Sequence, residues 1–599
     1  MRTRHAVLIL LTLYAAMTAV TWQGWANPVI DGGREMNTPW RLLGGEKLYS
    51  EVYYLYGPVA PFVNAFLFKI FGVQLRTLYA AGLAGGLVLT LVILSLGHKF
   101  MSPLESLLAA VAVLLLCVFK QRGNMIFPYS YSALYGTVLG TLALAAQVNH
   151  VRFNRRGSLF MSGMLSGLTF CCKLEFGFAA AASLLAVVMI SPREQRLKNA
   201  GIALISVLIF PLVLYGLLLA RIPAGAIFKD TFLIPGQIPA ELLYFNRLKL
   251  GLNHPAKTLR ELISAVAVLC GTGGVIALAG VRATGNSILS APRGQGPRRI
   301  WWITGASWGF LFLHVLFFGT QWDLNPFRAL PVLSLAMIVY YFHAGQDTGD
   351  GIHRRQLLIV AVYSLTVLAR VIVRVPAGGA YGAGLVPVPL LLFIYLARAD
   401  LPIFRVTESA TRWRQRAVLV LLSTAFAATM GVFAYRQMTT PQSVLSTGRG
   451  DIRMAPSLTM AMSQALDFIS KNTRPGEYIL ALPEGSSLNF LGDRPVPVRY
   501  EIVTPGFLSN DGEQRAIRQI QEKKVPYIFL FNRPTSEFGP EVFGRDYCRT
   551  MMAWIQSHYE PAAVFGEGVS ADVQIGDRPF FIKCYRERGR GQSAADRIR

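Results

Sequence analysis

The chain has 599 residues, 53% of them hydrophobic and only 15% charged, with a mean hydropathy of +0.41. So apolar a composition excludes an ordinary soluble globular protein and indicates a polytopic α-helical membrane protein. The formal net charge of +25 does not imply a nucleic-acid partner, because the basic residues form neither a contiguous patch nor an amphipathic stripe.

About thirteen runs are long enough to cross ~30 Å of hydrocarbon. They lie near 6–22, 76–96, 104–119, 132–149, 158–172, 176–190, 200–220, 259–281, 300–319, 328–343, 356–373, 385–397 and 417–436. The first run follows Arg2 and Arg4, as a signal peptide would, but Trp22-Gln23-Gly24-Trp25 is a poor cleavage site, so an uncleaved helix is expected. The spacings Gly136/Gly140 and Gly163/Gly167 suit close helix packing.

Alternate loops share a sign. One set carries Arg2 and Arg4, Lys99, Arg152 with Arg155 and Arg156, Arg193 with Arg196, Arg298 with Arg299, Arg354 with Arg355, and Arg412 with Arg416. Lys and Arg near helix ends are retained on the cytoplasmic side, which puts the N-terminus there. The other loops are then external, in a bacterial inner membrane periplasmic: the first loop 23–75, the loop 221–258, and everything beyond about residue 437.

The expected organisation is a membrane domain over 1–436, an external soluble α/β domain over 437–586, and a disordered basic tail over 587–599. Helices are expected near 457–471, 513–524 and 541–558, and strands near 478–482, 527–531, 562–565 and 579–585. The tail RERGRGQSAADRIR is polar and lacks apolar periodicity. Cys548 and Cys584 fall in the external part, where an oxidising compartment permits a bridge. No CxxC pair, HExxH or His/Cys cluster with zinc spacing occurs, and no GxxxxGK[ST], so neither a metal centre nor an ATP-driven pump is indicated. No cofactor is named by the residues, and a divalent metal stays open though not indicated.

Ionisable residues at the membrane boundary are costly and mark candidate chemistry. Asp31 stands about nine residues beyond the first helix, before Gly32 and Gly33, which let a chain turn and a ligand approach. The alternative is a solvated aspartate in a glycine turn. The segment 36–72 mixes Trp40, Tyr49, Tyr53, Tyr54 and Tyr56 with Arg41, Lys47 and Glu51 before an apolar amphipathic run, a pattern expected to lie in the headgroup plane.

An Asp just after the first helix, GGEKLY fifteen residues later, the aromatic YGP at Tyr56-Gly57-Pro58 and the closing IFG before the second helix resemble the GT-C superfamily of lipid-linked-sugar glycosyltransferases. The closest patterns are those of bacterial protein-mannosyltransferase-like and aminoarabinose-transferase-like enzymes. GMLSGLTFCCKLEFG, 163–177, is similar to the turn between two membrane helices in that family. The resemblance covers 1–436. It implies a polyprenyl-phosphate sugar donor and transfer at the external face to an envelope lipid, glycan or protein. Asp31 would be the inverting general base.

A phosphate leaving group needs cations more than a proton donor. Lys173, beside Glu175, is the first candidate, then Arg122, Arg370, Arg374 and Arg328 at external helix ends; each alone could anchor a headgroup. Arg34, Tyr53, Tyr56, Tyr129, Glu175 and Tyr381 are candidate sugar or acceptor contacts. The second external loop, 120–131, has no acidic residue, where several members of the superfamily carry one, so Glu35 and Glu51 are the candidates for a second carboxylate. Arg34 either pairs with Asp31 or Glu35, lowering the partner's pKa, or holds the donor. The long loop 221–258 is assigned to acceptor access. Competing readings are a polyprenyl-linked polysaccharide polymerase or ligase, whose large loop falls late in the chain, a transporter, which would carry charges in mid-helix, and a membrane-anchored sensor, for which thirteen helices are excessive.

Overall fold

The structure, a computed structural model, describes residues 2–120, 123–231, 238–266, 326–343, 351–375, 379–398, 408–568 and 579–589. In the first half the expected spans become helices: α1 (Thr3–Thr21), α4 (Leu75–Gly97), α5 (Pro103–Val113, continued by a π turn at Leu114–Val118), α6 (Tyr131–Phe153), α7 (Arg156–Phe170), α8 (Leu174–Ile190) and α9 (Arg193–Leu219). Their ends follow local chemistry. The Glu105 carboxylate accepts the Ser102 amide at 2.8 Å to start α5. Ser130 Oγ accepts the Ala133 amide at 3.1 Å to start α6, and Asn154 closes it in the left-handed region.

Further on, helices cover Leu330–His343, Gly351–Val367, Pro387–Arg398 and Glu408–Thr439. The expected span 259–281 is helical as far as residue 266, and the rest of it, with the span 300–319, lies outside the described residues. Among the described residues five helices are long and apolar enough to cross a membrane: Thr3–Thr21, Leu75–Gly97, Tyr131–Phe153, Arg193–Leu219 and Gln415–Thr439. Shorter apolar helices stand beside them. The glycine spacings do pack helices: a Cβ on Gly163 would overlap Ser206 Oγ and one on Gly167 the Val207 carbonyl, so α7 lies flush on α9. The outer side of α9 is left with exposed Leu204, Ile205, Leu212 and Leu217, suited to hydrocarbon.

The first loop corrects an expectation. The segment 36–72 is expected in the headgroup plane, but the loop folds into α2 (Gly32–Leu43) and α3 (Val59–Phe71), and nine of the twelve residues of α2 are buried. Only α3 keeps an exposed apolar face, with Phe62, Phe66, Ile70 and Phe71. The cause is the C-terminal segment, which covers α2. Asn37 Nδ2 donates to the Ser486 carbonyl at 2.6 Å and Ser487 Oγ donates to the Pro28 carbonyl.

In that segment β1 (Ser443–Thr447) and β2 (Gly450–Met454) form an antiparallel hairpin absent from the sequence expectation. A four-stranded sheet follows in the order β3-β4-β6-β5, from β3 (Leu480–Leu482), β4 (Tyr527–Phe531), β5 (Tyr559–Phe565) and β6 (Ile582–Glu587). β3 and β4 are parallel, with Leu482 opposite Leu530, and the remaining pairs are antiparallel. Helices Pro456–Asn472, Asn510–Glu522 and Arg549–His558 accompany the sheet; the last starts later than the expected residue 541 because Gly544 and Cys548 take positive φ before it. Cys548 and Cys584 are both free and buried, so the bridge that the compartment would permit is not formed. Of the expected tail, residues 590–599 lie outside the described residues.

The loops assigned to one side meet at one end of the bundle. Gln23 Nε2 donates to Asp451 at 2.9 Å, the Leu75 amide to the Arg449 carbonyl at 2.8 Å, and Arg374 Nη1 to the Leu248 carbonyl at 3.1 Å, while Phe245 stacks on Phe538 at 4.5 Å.

Candidate active site

Asp31 sits at the end of a turn built by Asn27, whose Oδ1 accepts the amides of Val29 and Ile30 at 3.0 and 3.2 Å. Its φ is +60°, which Asp tolerates better than most residues. Gly33 is required by close approach: a Cβ there would overlap Ser486 Oγ and the Ser487 amide. Asp31 is thereby pinned between α2 and the C-terminal segment, with its side chain 22% exposed.

Arg34 follows one turn into α2. Its Nη2 is 4.0 Å from Asp31 Oδ1 and 3.2 Å from Glu35 Oε1. Glu35, buried, spends its other oxygen on the Tyr131 amide at 2.9 Å. The carboxylate that neutralises Arg34 is therefore chiefly Glu35, and Glu35 is a holding group rather than a free second carboxylate. The guanidinium lies 5.5 and 5.7 Å from the Tyr56 and Tyr129 ring centres, in the range of a cation–π contact.

Lys173 approaches the same two rings, its Nζ 4.6 Å from the centre of Tyr56 and 5.7 Å from that of Tyr129. The tyrosines are joined by a hydroxyl hydrogen bond of 3.0 Å. The YGP stretch is seated on the CCK turn by Gly57 N–H to the Cys172 carbonyl and Val59 N–H to the Cys171 carbonyl, both 3.1 Å. Gly57 must be glycine here, since a Cβ would overlap the Cys171 carbonyl. Glu175 bridges Lys173 at 3.2 Å and Arg370 at 3.3 Å.

Burial pushes the Asp31 carboxyl up to about 6, against the pull of Arg34, Arg533 and Lys173 and with the help of Glu537. Burial also lowers the Lys173 ammonium, which Glu175 opposes. Glu484, deep under the C-terminal turn, is pushed up to about 8, mainly by burial.

Arg533, Glu484 and Glu537 were not anticipated. Arg533 Nε donates to Glu484 at 2.7 Å and Nη2 to Glu537 at 2.5 Å, with the arginine and Glu484 both buried. The sequence signal was limited to the two strands expected near 478–482 and 527–531. Glu484 and Arg533 each stand just past the carboxyl end of neighbouring parallel strands, β3 and β4, where ligand-facing loops of α/β sheets gather.

Asp31, Arg34, Tyr56, Tyr129, Lys173, Glu175 and Arg370 thus come together. Others do not join them. Glu51 is exposed and accepts its own turn's Lys47 amide at 2.6 Å. Tyr53 packs against Tyr500, their ring centres 4.7 Å apart and the rings tilted by 31°. Arg374 donates to the Leu248 carbonyl at 3.1 Å, and Arg328 pairs with Glu261, so neither stands with Lys173 and Arg370. The Tyr381 side chain, on the helix Gly379–Leu385, and Arg122 both lie outside the described residues. Among the described residues no cluster of three His, Cys, Asp or Glu groups could hold a metal ion.

No protein-family model matches the chain, and no curated protein matches it. Among solved structures it is similar to ArnT from Cupriavidus metallidurans in the apo state, with 13% identity over 96% of this chain and 97% of that one and a TM-score of 0.45. The apo oligosaccharyltransferase of Archaeoglobus fulgidus shares 12% identity over 96% of this chain and 75% of that one, TM-score 0.44. For the mycobacterial arabinofuranosyltransferase AftD the figures are 14%, 98% and 42%, TM-score 0.44.

Proposed function

We propose that the chain is a membrane glycosyltransferase that moves a sugar from a polyprenyl-phosphate donor to an envelope acceptor at the external, periplasmic face, with Asp31 as general base. The observation that carries this reading is a convergence: a carboxylate pushed up to about 6 and two cations, Arg34 and Lys173, meet around one tyrosine pair although residues 31, 56, 129 and 173 are far apart in the chain.

In the reaction an acceptor hydroxyl gives its proton to Asp31 as its oxygen attacks the anomeric carbon. The anomeric carbon–phosphate oxygen bond breaks on the opposite side, and its electron pair leaves on the lipid phosphate, which inverts the configuration. A base with a pKa near 6 is ionised at neutral pH yet basic enough to accept that proton. Lys173 and Arg34 hold the charge that grows on the phosphate, in a partly dry site where such contacts count for more than in water. Arg34 keeps its place because Glu35 and the Tyr129 carbonyl, 3.2 and 3.4 Å away, fix the guanidinium.

The test is Asp31→Asn in membranes supplied with labelled polyprenyl-phosphate sugar. Transfer should fall by about 10²–10⁴-fold with expression unchanged. Wild-type turnover by the variant would sink the assignment. Loss of sugar from one envelope glycan in a deletion strain would identify the acceptor.

A further inference from the structure

The loop 221–258 carries two helices, α10 (Ala224–Thr231) and α11 (Ala240–Leu250). No residue of α11 is fully buried, so this helix has no core of its own. Three contacts hold it. Near its start Leu242 lies against the backbone of Gly506, where a Cβ would come within 2.9 Å of Leu242 Cγ. In its middle the Phe245 ring stacks on Phe538, with centres 4.5 Å apart and planes 12° apart. At its end Arg374 Nη1 donates to the Leu248 carbonyl at 3.1 Å, filling a carbonyl that the last turn of a helix leaves open.

Two of these contacts lead to the candidate site from separate parts of the chain. Phe538 follows Glu537 in the turn Ser536–Phe538, and Glu537 holds Arg533 at 2.5 Å, one of the cations felt by Asp31. Arg374 follows the turn Ala369–Val371, whose Arg370 pairs with Glu175 at 3.3 Å, and Glu175 holds Lys173 at 3.2 Å. One short helix thus ties the turn behind the carboxylate to the turn behind the lysine.

We propose that α11 is a brace across the candidate site and that Phe245 is a positioning residue for the transfer, acting through the Phe538 turn on the place of Glu537 beside Arg533 and Asp31. This rests on the reading of Asp31 as the base. The charged groups around Asp31 are Arg34 and Glu35 of α2, Lys173, and Glu484, Arg533 and Glu537 of the C-terminal segment. Arg533 has Glu484 as a second partner at 2.7 Å. When the Phe538 turn loosens, Glu537 moves off and Arg533 stays, so Asp31 loses a neighbour that raises its pKa and keeps one that lowers it. Freeing the turn has the same sign as removing the Glu537 charge.

The test compares Phe245→Ala, Phe245→Tyr, Glu537→Gln, Phe245→Ala/Glu537→Gln and a control, Leu243→Ala, exposed on the same helix. The full chain is assayed in membranes supplied with labelled polyprenyl-phosphate sugar across a pH series, with a melting curve of each purified variant. Phe245→Leu, which removes the stack with less loss of volume, replaces Phe245→Ala if that variant melts early. At pH 8, kcat/KM should fall about tenfold in Phe245→Ala, because the reacting groups are displaced. The acid limb of the profile should move to lower pH, as in Glu537→Gln, and the double variant should move it no further. Phe245→Tyr, which keeps the ring, should restore both, and Leu243→Ala should change neither. A limb moved by Glu537→Gln but not by Phe245→Ala, or shifts that add in the double variant, overturns the brace and leaves Asp31 as the base. Wild-type turnover by Asp31→Asn removes the base and the brace together.

Discussion

Lys173 Nζ lies 4.6 Å from the centre of the Tyr56 ring, a contact between the turn after α7 and a loop more than a hundred residues earlier. Two backbone hydrogen bonds from Gly57 and Val59 to the Cys172 and Cys171 carbonyls hold it. The distance depends on a glycine, because any Cβ on residue 57 would push the two strands of chain apart.

Gly57→Ala should therefore act at a distance. The overlap forces a backbone shift costing about 1–3 kcal/mol, seen as a lower melting temperature of the purified protein. The Tyr56–Lys173 contact opens with it, so apparent donor affinity should weaken as well. Unchanged melting and unchanged donor affinity together would contradict the seating.

Lys173→Ala removes a cation from the proposed phosphate site. We expect kcat/KM for the lipid-linked donor to fall by about 10²-fold while the melting temperature moves little, and Lys173→Arg to recover part of the loss. An unchanged donor dependence would assign Lys173 to headgroup anchoring instead.

The pH profile follows from the Asp31 carboxyl. A general base works ionised, so activity should fall about tenfold per pH unit below the folded pKa and level off above it. With that pKa pushed up to about 6, the rising limb should centre near pH 6. A limb near pH 4, the ordinary carboxylate range, would mean that burial is not felt by the base.

Arg533 and Glu537 give that limb a sign. The guanidinium pulls the Asp31 carboxyl down and the Glu537 carboxylate pushes it up. Arg533→Met should move the limb to higher pH and Glu537→Gln to lower pH. Parallel losses of activity with an unmoved limb would reduce both residues to structural support.

Asp230 and Arg499 tie the loop 221–258 to the C-terminal segment through a 2.6 Å pair in which the carboxylate is 1% exposed. Breaking it from one side leaves a buried charge alone, so Asp230→Asn should destabilise the fold by about 3–5 kcal/mol. Asp230→Asn/Arg499→Met should recover part of that loss, measured by denaturant or thermal titration.

Legible in the sequence were the membrane class, the ends of α1 and of α4 to α8 to within a few residues, and the strand Tyr527–Phe531, because long apolar runs and Gly/Pro/Asn punctuation are local signals; α9 starts earlier than expected, at Arg193 rather than near residue 200. The sequence also singled out Asp31, Lys173 and the tyrosines, since charge beside a membrane is costly enough to stand out. Only the tertiary structure decided which of the candidates meet. Glu35 and Glu51 are equally acidic in sequence, yet one clamps Arg34 and the other caps an exposed turn. Arg328 and Arg374 carry the same charge as Arg34 but are spent on Glu261 and the Leu248 carbonyl. The largest omission, Arg533 with Glu484 and Glu537, has the same cause. These residues stand about 450 to 500 positions from Asp31, and no periodicity encodes a contact made across such a separation at the carboxyl ends of a parallel strand pair. Hydrophobic patterning sets which elements form and which face is buried; burial of a particular charge beside another is set by packing, and there the low local dielectric gives the aspartate its basicity.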